Sequence, residues 1–262
     1  DAIEWSSPET VTALTLIGRE ETGPGWAMDR AWWRPQAQLT ALPAWQEGLT
    51  AGLSDYMLLT ARTVASESLV PDADLMAAGR LLAPVADAPA KPRMRAAAEA
   101  LQRYDGRLAR GLATAPVGIG ALNEELDLFI AWSVAAETAL RSDGETKSGW
   151  PASRADVEAI YKARGQAQAA SQLLSATFAA EPSITASREI SEAKDAALRA
   201  WRRAANFSPL FVSSPGETEG LLSDHPATMA WYLSDARRAT QTLKAAISQE
   251  PQDPGLIAAL TP

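Results

Sequence analysis

The sequence contains no cysteine and a single histidine, His225. Disulfide bonds, thiolate metal ligands and thiol catalysis are therefore excluded. A histidine-rich metal site or a Ser-His-Asp array would have to depend on His225 alone. The sequence also has no Gly-Lys-Ser/Thr phosphate loop, no strand-borne GxGxxG, no HExxH and no GxSxG. The chain therefore lacks the commonest sequence signatures of nucleotide-binding proteins and hydrolases. We expect no cofactor and favour a protein that is not an enzyme.

Long apolar runs and an excess of positive charge are lacking as well. No run approaches the roughly 18 apolar residues of a membrane-spanning helix, and no signal peptide is visible. The 262 residues carry a net charge of -8, which argues against general binding to nucleic acids. The chain begins at Asp1 and not at methionine, which is compatible with the removal of a targeting or anchoring segment.

What the sequence does contain is a helical pattern. Hydrophobic residues make up 47% of the chain and recur every three or four positions. The pattern predicts an all-α fold, a single domain over 1–262 with about seven or eight mostly antiparallel helices. Helices are expected near 8–21, 43–68, 72–83, 92–113, 117–141, 153–180, 184–205 and 225–249. An alternative division gives two helical halves, 1–141 and 153–249, joined by the polar linker 142–152.

Two long segments between helices, 22–42 and 206–223, are expected to be ordered loops. Five of the nine tryptophans lie in the first 45 residues. We expect these rings to pin the first loop onto the core; the alternative is an aromatic surface for a ligand or partner. In the helix near 43–68, Gly48 and Gly52 indicate close packing against another helix. In the helix near 117–141, the predicted buried stripe is Ile119, Leu122, Leu126, Ile130, Val134 and Leu140.

Three short patches carry a resemblance to a known family. The first, PAWQEG at 43–48, follows a GPGW turn at 23–26; the second is YKARGQA at 161–167; the third is SDHP at 223–226, continuing through MAWYLS at 229–234 to Ala236. With them the chain resembles, over most of its length, a bacterial family known as domain of unknown function 2333. The resemblance implies a single-pass inner-membrane protein with most of its chain outside the cytoplasm. The implied N-terminal anchor would precede Asp1, and no activity or catalytic residue is implied.

Four residues are candidates for binding a ligand: Tyr161, Arg164, His225 and Trp45. Tyr161 and Arg164 are three positions apart and share a helix face, and the following Gly165 permits a close neighbour. Arg164 could hold an anionic ligand with its fork of donors, but a buried ion pair, with Glu137 as partner, is the favoured interpretation. His225 stands at a predicted helix start, where a neutral imidazole could act as a base or metal ligand. The favoured interpretation is a histidine that bonds to loop backbone, and no metal site is predicted.

Positive charge is concentrated in residues 91–110, which hold six basic and two acidic residues, a net charge of +4. Within this segment Arg103, Arg107 and Arg110 follow helical spacing. The favoured interpretation is a solvated helix face; the alternative is a surface for anionic lipid headgroups. A second basic group, Trp201-Arg202-Arg203, is expected to bury its tryptophan and expose its arginines.

Two functional hypotheses follow. The leading one is a non-catalytic interaction or scaffold domain with an unknown protein partner in the cell envelope, on the periplasmic side of the bacterial inner membrane. The alternative is a small-ligand binder or enzyme with a pocket near Tyr161, Arg164 and His225. The alternative requires these three side chains to converge in space, because the polar groups of a pocket meet on its ligand.

Overall fold

The computed structural model describes residues 7–29, 40–65, 70–86, 88–144, 153–185, 187–209 and 225–249. These residues form eight α-helices: α1 (Pro8–Thr22), α2 (Ala41–Thr63), α3 (Ala73–Leu82), α4 (Ala90–Leu108), α5 (Gly118–Gly144), α6 (Arg154–Ala180), α7 (Arg188–Asn206) and α8 (His225–Gln249). Two short 3-10 turns, Ala27–Asp29 and Pro182–Thr185, join them. No strand occurs within the described ranges. The predicted all-α fold is confirmed.

Parts of three predicted features lie outside the described residues. In the first long loop they are residues 30–39, which include Trp32 and Trp33. In the second long loop they are residues 210–223, and in the linker they are residues 145–152. The linker was predicted to begin at residue 142, but α5 continues to Gly144. Of the tryptophans expected to pin the first loop, Trp26 is buried, with 5% of its surface exposed.

The helix boundaries follow local signals. Asp72 caps α3, and its side chain accepts hydrogen bonds from the backbone N–H groups of Asp74 and Leu75. Ser153 and Asp156 form a reciprocal capping box at the start of α6. The helix predicted near 92–113 ends earlier, at Leu108, because Gly111 adopts a φ of 68°, a left-handed conformation that terminates helices. Leu112 is consequently 66% exposed.

A single cluster of buried apolar side chains draws residues from all eight helices. At its centre, the ring of Phe129 lies 5.2 Å from that of Trp132 and 6.1 Å from that of Trp201. Trp201 is 1% exposed, whereas Arg202 and Arg203 face solvent, as the sequence predicted.

Close contact between α2 and α6 depends on two glycines. A Cβ on Gly48 would overlap the carbonyl oxygen of Lys162 and lie 2.7 Å from its Cα. A Cβ on Gly165 would lie 2.6 Å from the backbone nitrogen of Leu49. Neither position accepts a side chain without separating the helices, so the close packing predicted for both glycines is confirmed.

Helix directions depart in one place from the antiparallel arrangement that was predicted. Asp127 of α5 pairs with Lys244 of α8 and Glu137 with Arg237, so these two helices are antiparallel. On α2, however, Gly48 approaches Lys162 while Gly52 approaches Ala169. The contacts advance in the same direction along both chains, so α2 and α6 are parallel. The antiparallel prediction assumed that packed helices are joined by short connections. Helices that are not neighbours in sequence, such as α2 and α6, need no such connection and can pack in parallel.

The buried face of α5 also differs from the predicted stripe. Leu122, Leu126 and Leu140 are buried as predicted, but Ile119 and Val134 are 40% and 43% exposed. The buried face also includes Phe129, Trp132 and Ser133, which the prediction omitted, and the acid Glu125. Because the prediction considered only apolar residues, its stripe does not coincide with the face of α5 that is buried.

Candidate functional site

Arg164 joins α6 to the end of α7. Its Nε donates to the carbonyl oxygen of Ala205 at 2.8 Å, and its Nη1 donates to Ser208 Oγ at 3.3 Å. The guanidinium carbon lies 5.7 Å from the centroid of the Tyr161 ring. Ala205 is in the last turn of α7, where carbonyl groups have no partner within the helix. Arg164 therefore satisfies the end of a neighbouring helix while stacking on Tyr161.

The ion pair predicted between Arg164 and Glu137 is wrong. Glu137 is 3% exposed and lies 3.3 Å from an Arg141 guanidinium nitrogen and 3.4 Å from one of Arg237. Its ion-pair partners thus come from its own helix and from α8, which packs along α5, while its Oε1 has no hydrogen-bond partner among the described residues. Arg164 finds backbone oxygen instead of a carboxylate.

His225, the first residue of α8, lies against the residues that follow α7. Its ring centroid is 6.1 Å from that of Phe207, and the Phe207 ring is 5.5 Å from that of Tyr232. These rings border an open groove of about 400 Å³. The groove is lined by Arg202, Arg203, Asn206, Phe207, Ser208, Pro209, His225 and Tyr232.

Arg164 and His225 both lie near the end of α7, and His225 is the one predicted site residue that lines the groove of the described residues. Arg164 contacts Ala205 and Ser208, and His225 contacts the intervening Phe207. None of Tyr161, Arg164 and Trp45 lines the groove. The carbonyl oxygen of Trp45 instead packs against Gly165 on the α2 side of α6. A ligand held jointly by all four residues stays a prediction.

The basic residues of α4 are largely paired. Arg103 Nε lies 3.0 Å from Asp74 Oδ1, and Arg107 lies 2.7 Å from Asp72 and 2.9 Å from Asp74. The hydrogen bond from Arg107 to Asp72 raises the pKa of Arg107. Arg110 is exposed and has no ion pair within the described part of the chain. Contact with anionic lipid therefore depends chiefly on Arg110 and stays a prediction.

A buried acid cluster was missed by the sequence analysis. Glu125 is 4% exposed and accepts hydrogen bonds from Thr177 Oγ1 at 2.9 and 3.1 Å. Burial raises its pKa to about 8. Burial also raises the pKa of Glu9 and, well above its usual value, that of Tyr56. Glu125 lies three residues after Leu122 and four before Phe129, so a helical face that admitted polar residues would have identified it.

The raised pKa of Glu125 would suit a general acid, but the cluster has no space for a substrate. Glu9, Tyr56, Glu125, Thr177 and Glu181 border a void of about 20 Å³, which suffices for one water molecule. No group of three potential metal ligands occurs in the described ranges. The cluster is therefore able to hold protons near neutral pH, and its geometry gives no room for a reaction.

A larger cavity lies beside the first loop. Its volume is about 320 Å³, and it is lined by Trp26, Pro43, Gln46, Glu47, Thr50, Leu82, Pro84, Val85, Ala86, Ala88, Ala90, Arg93 and Met94. We refer to it as the Trp26 cavity. Gln46 fixes its rim: Nε2 donates to Glu20 Oε2 at 2.7 Å and to the carbonyl oxygen of Gly25 at 2.9 Å, and Oε1 accepts from the backbone N–H of Ala27 at 2.9 Å. The 23–26 turn and the 43–48 patch are thereby held together.

Comparisons with known proteins give no assignment. No protein family, curated protein or solved structure matches the chain, so its resemblance to domain of unknown function 2333 stays a prediction. Among the described helices, none combines the length and apolar character needed to cross a bilayer.

Proposed function

We propose that this chain is a non-catalytic interaction domain of a bacterial inner-membrane-anchored protein, facing the periplasm. Its location follows from the family resemblance. Its partner-binding surface is the aromatic face at the start of α8, formed by Phe207, His225, Trp231 and Tyr232 together with Arg202; we call this the Trp231 surface. The observation that carries the proposal is the 54% exposure of Trp231, the only tryptophan of the described residues that is exposed.

The composition of this surface is typical of protein interfaces. The ring of Trp231 lies 5.2 Å from that of Tyr232 in an edge-to-face arrangement, and Tyr232 also borders the groove beside Phe207 and His225. Tryptophan, tyrosine and arginine are the residues most often found at interface hot spots. Exposing a tryptophan to water costs free energy that a partner recovers by covering it. An aromatic surface with an exposed arginine favours a partner segment that combines an apolar anchor with an acidic side chain.

Two features support a non-catalytic role. Glu125, Glu9 and Tyr56, whose pKa values are raised by burial, border a void of only about 20 Å³, which leaves no place for a substrate there. The donors of Arg164 that face α7 are engaged by Ala205 and Ser208. Both arrangements are explained by the packing of helices without a reaction.

Site-specific photo-crosslinking in cells tests the partner surface. A benzophenone amino acid replaces Trp231 in one strain and Leu112 in a control strain; Leu112 is 66% exposed and lies in the connection between α4 and α5. We expect position 231 to crosslink one envelope protein that position 112 does not, and Arg202→Glu to weaken that crosslink. Identical crosslinks from both positions, or none from either, would refute the Trp231 surface.

The membrane anchor is tested independently. We expect the coding sequence upstream of Asp1 to encode about 20 consecutive apolar residues with basic residues on their cytoplasmic side. Protease added to spheroplasts should then digest the domain described above. A domain protected from protease in intact spheroplasts would contradict the periplasmic location while leaving the Trp231 surface open to its own test.

A further inference from the structure

We propose that the Trp26 cavity binds a small amphipathic anion, a molecule with a short apolar body and a carboxylate head. The cavity is separate from the Trp231 surface, with which it shares no lining residue. Its volume of about 320 Å³ is in the range of small-molecule sites. The inference is independent of the proposed partner surface.

The apolar part of the cavity is formed by α3, α4 and the loop between them. Leu82 and Met94, on α3 and α4, are buried at 0% and 2% exposure and form its inner wall. The loop between these helices contributes Pro84 and Val85, and Val85 is 49% exposed. An apolar body in the cavity would cover Val85 and contact both buried side chains, which favours binding through the removal of apolar surface from water.

The polar groups left unused around the cavity are donors. Trp26 lines the cavity and is 5% exposed, yet its Nε1 has no hydrogen-bond acceptor among the described residues. A buried donor without a partner is costly, and an acceptor supplied by a ligand would remove that cost. Arg93 also lines the cavity. Its Nη2 donates to the carbonyl oxygens of Leu81 and Ala83, while its Nε and Nη1 have no partner in the described ranges.

The acceptors and the acid at the rim are already engaged. Gln46 uses Oε1 for the N–H of Ala27 and Nε2 for Glu20 and Gly25. Glu47 is exposed and lies 2.8 Å from Lys162 Nζ, which compensates its charge. Glu20, which Gln46 contacts at the rim, does not line the cavity, and burial raises the pKa of its carboxyl. Among the side chains that line the cavity, the groups without a partner in the described ranges are the indole N–H of Trp26 and Nε and Nη1 of Arg93. The cavity therefore matches an acceptor-rich anion and disfavours a cation.

The test is a titration of the whole ¹⁵N-labelled chain with octanoate, below the concentration at which octanoate forms micelles, followed by the indole N–H signals in ¹H–¹⁵N spectra. The Trp26 signal is identified by its loss in Trp26→Phe. We expect this signal to shift saturably with octanoate and to stay unchanged with octylammonium, which has the same chain and the opposite charge. Trp26→Phe lacks the reporter indole, so binding to this variant is followed by the backbone amide signals of Val85 and Ala88, which line the cavity. It should be about tenfold weaker, because the variant removes a hydrogen bond to a charged acceptor.

Two further variants keep the proposal falsifiable if Trp26→Phe fails to fold. Trp132→Phe is the matched control: Trp132 is also 5% exposed, but its Nε1 already donates to Asp55 Oδ2 at 3.0 Å, and octanoate affinity should not change. Ala88→Trp places a large ring in the cavity and should abolish the shift of the Trp26 signal while the unfolding temperature is retained. Equal affinity for octylammonium, unchanged binding in Ala88→Trp, or equal shifts of all indole signals would each overturn the proposal.

Discussion

Replacing Glu125 with glutamine should make the protein more stable at alkaline pH. Burial raises the pKa of Glu125 from 4.5 to about 8, so the folded chain keeps a proton between these values that the unfolded chain releases. The stability that comes from the neutral carboxyl is fully present below pH 4.5 and is lost as pH rises to about 8. In this window the free energy of unfolding should fall by about 1.4 kcal/mol per pH unit, or roughly 5 kcal/mol in all.

Glutamine is the appropriate replacement because it has the shape of the neutral acid and cannot ionise. Its amide oxygen can still accept the hydrogen bond that Thr177 Oγ1 donates to Glu125. We therefore expect Glu125→Gln to unfold with nearly the free energy of the wild type at pH 5. At pH 8.5 the variant should be more stable by about 2–5 kcal/mol. Glu9 and Asp105 also have raised pKa values, but they are present in both proteins, so the difference between the two isolates Glu125.

The assay is urea unfolding followed by circular dichroism at half-unit steps from pH 5 to pH 8.5. The control is Glu124→Gln, which neutralises the neighbouring acid on the same helix; Glu124 is exposed, so its effect should be small at every pH. The reasoning would be refuted if Glu125→Gln lowered the free energy of unfolding, relative to the wild type, by the same amount at pH 5 and at pH 8.5. The carboxyl would then act only through its hydrogen bonds.

Three further predictions concern other parts of the chain. Gly48→Ala should destabilise the protein by more than about 3 kcal/mol, because the new methyl group overlaps the backbone of α6. Gly106→Ala has no atom within 4 Å of its Cβ and should stabilise α4 by about 0.5–1 kcal/mol. Both effects are measured by urea unfolding, and equal effects of the two substitutions would contradict the close contact between α2 and α6. Arg164→Gln should cost about 1–3 kcal/mol and raise hydrogen exchange after Ala205 at the end of α7, while unchanged exchange there would argue against the cross-helix bond. Arg110→Glu should lower flotation about fivefold with vesicles containing phosphatidylserine and leave flotation with phosphatidylcholine vesicles unchanged; flotation that ignores lipid charge would remove the lipid contact.

The helices were predictable from the sequence because their signals are local. Caps such as Asp72 and Ser153, and glycines with a tight neighbour such as Gly48, are visible in the residues themselves. The end of α4 was predictable in principle, because Gly111 is the kind of residue that ends a helix, yet the prediction carried the helix two residues beyond it. Local chemistry thus decides where helices begin and end.

The partners of buried polar groups could not be predicted in the same way. Glu125 is buried and accepts a hydrogen bond from Thr177 on another helix, and the charge of Glu137 is compensated by Arg141 on its own helix and by Arg237, which α8 places beside it. Arg164 was expected to seek a carboxylate but binds the carbonyl of Ala205, a group that every residue has and that no sequence pattern marks. These contacts depend on which helices pack together, and that information is absent from the spacing of residues within a helix.

Packing explains most of the residues in the three patches that carry the family resemblance. Gly48 of the first patch and Gly165 of the second permit α2 and α6 to touch, and Arg164 extends from the second patch to the end of α7. Trp231 of the third patch has no such role: more than half of its surface is exposed, and its removal would leave no cavity in the core. The ring of Trp26 is packed in the core, but its indole N–H has no acceptor within the described part of the chain. Since packing accounts neither for the exposed ring of Trp231 nor for this unpaired N–H, these two tryptophans are where function should be sought first.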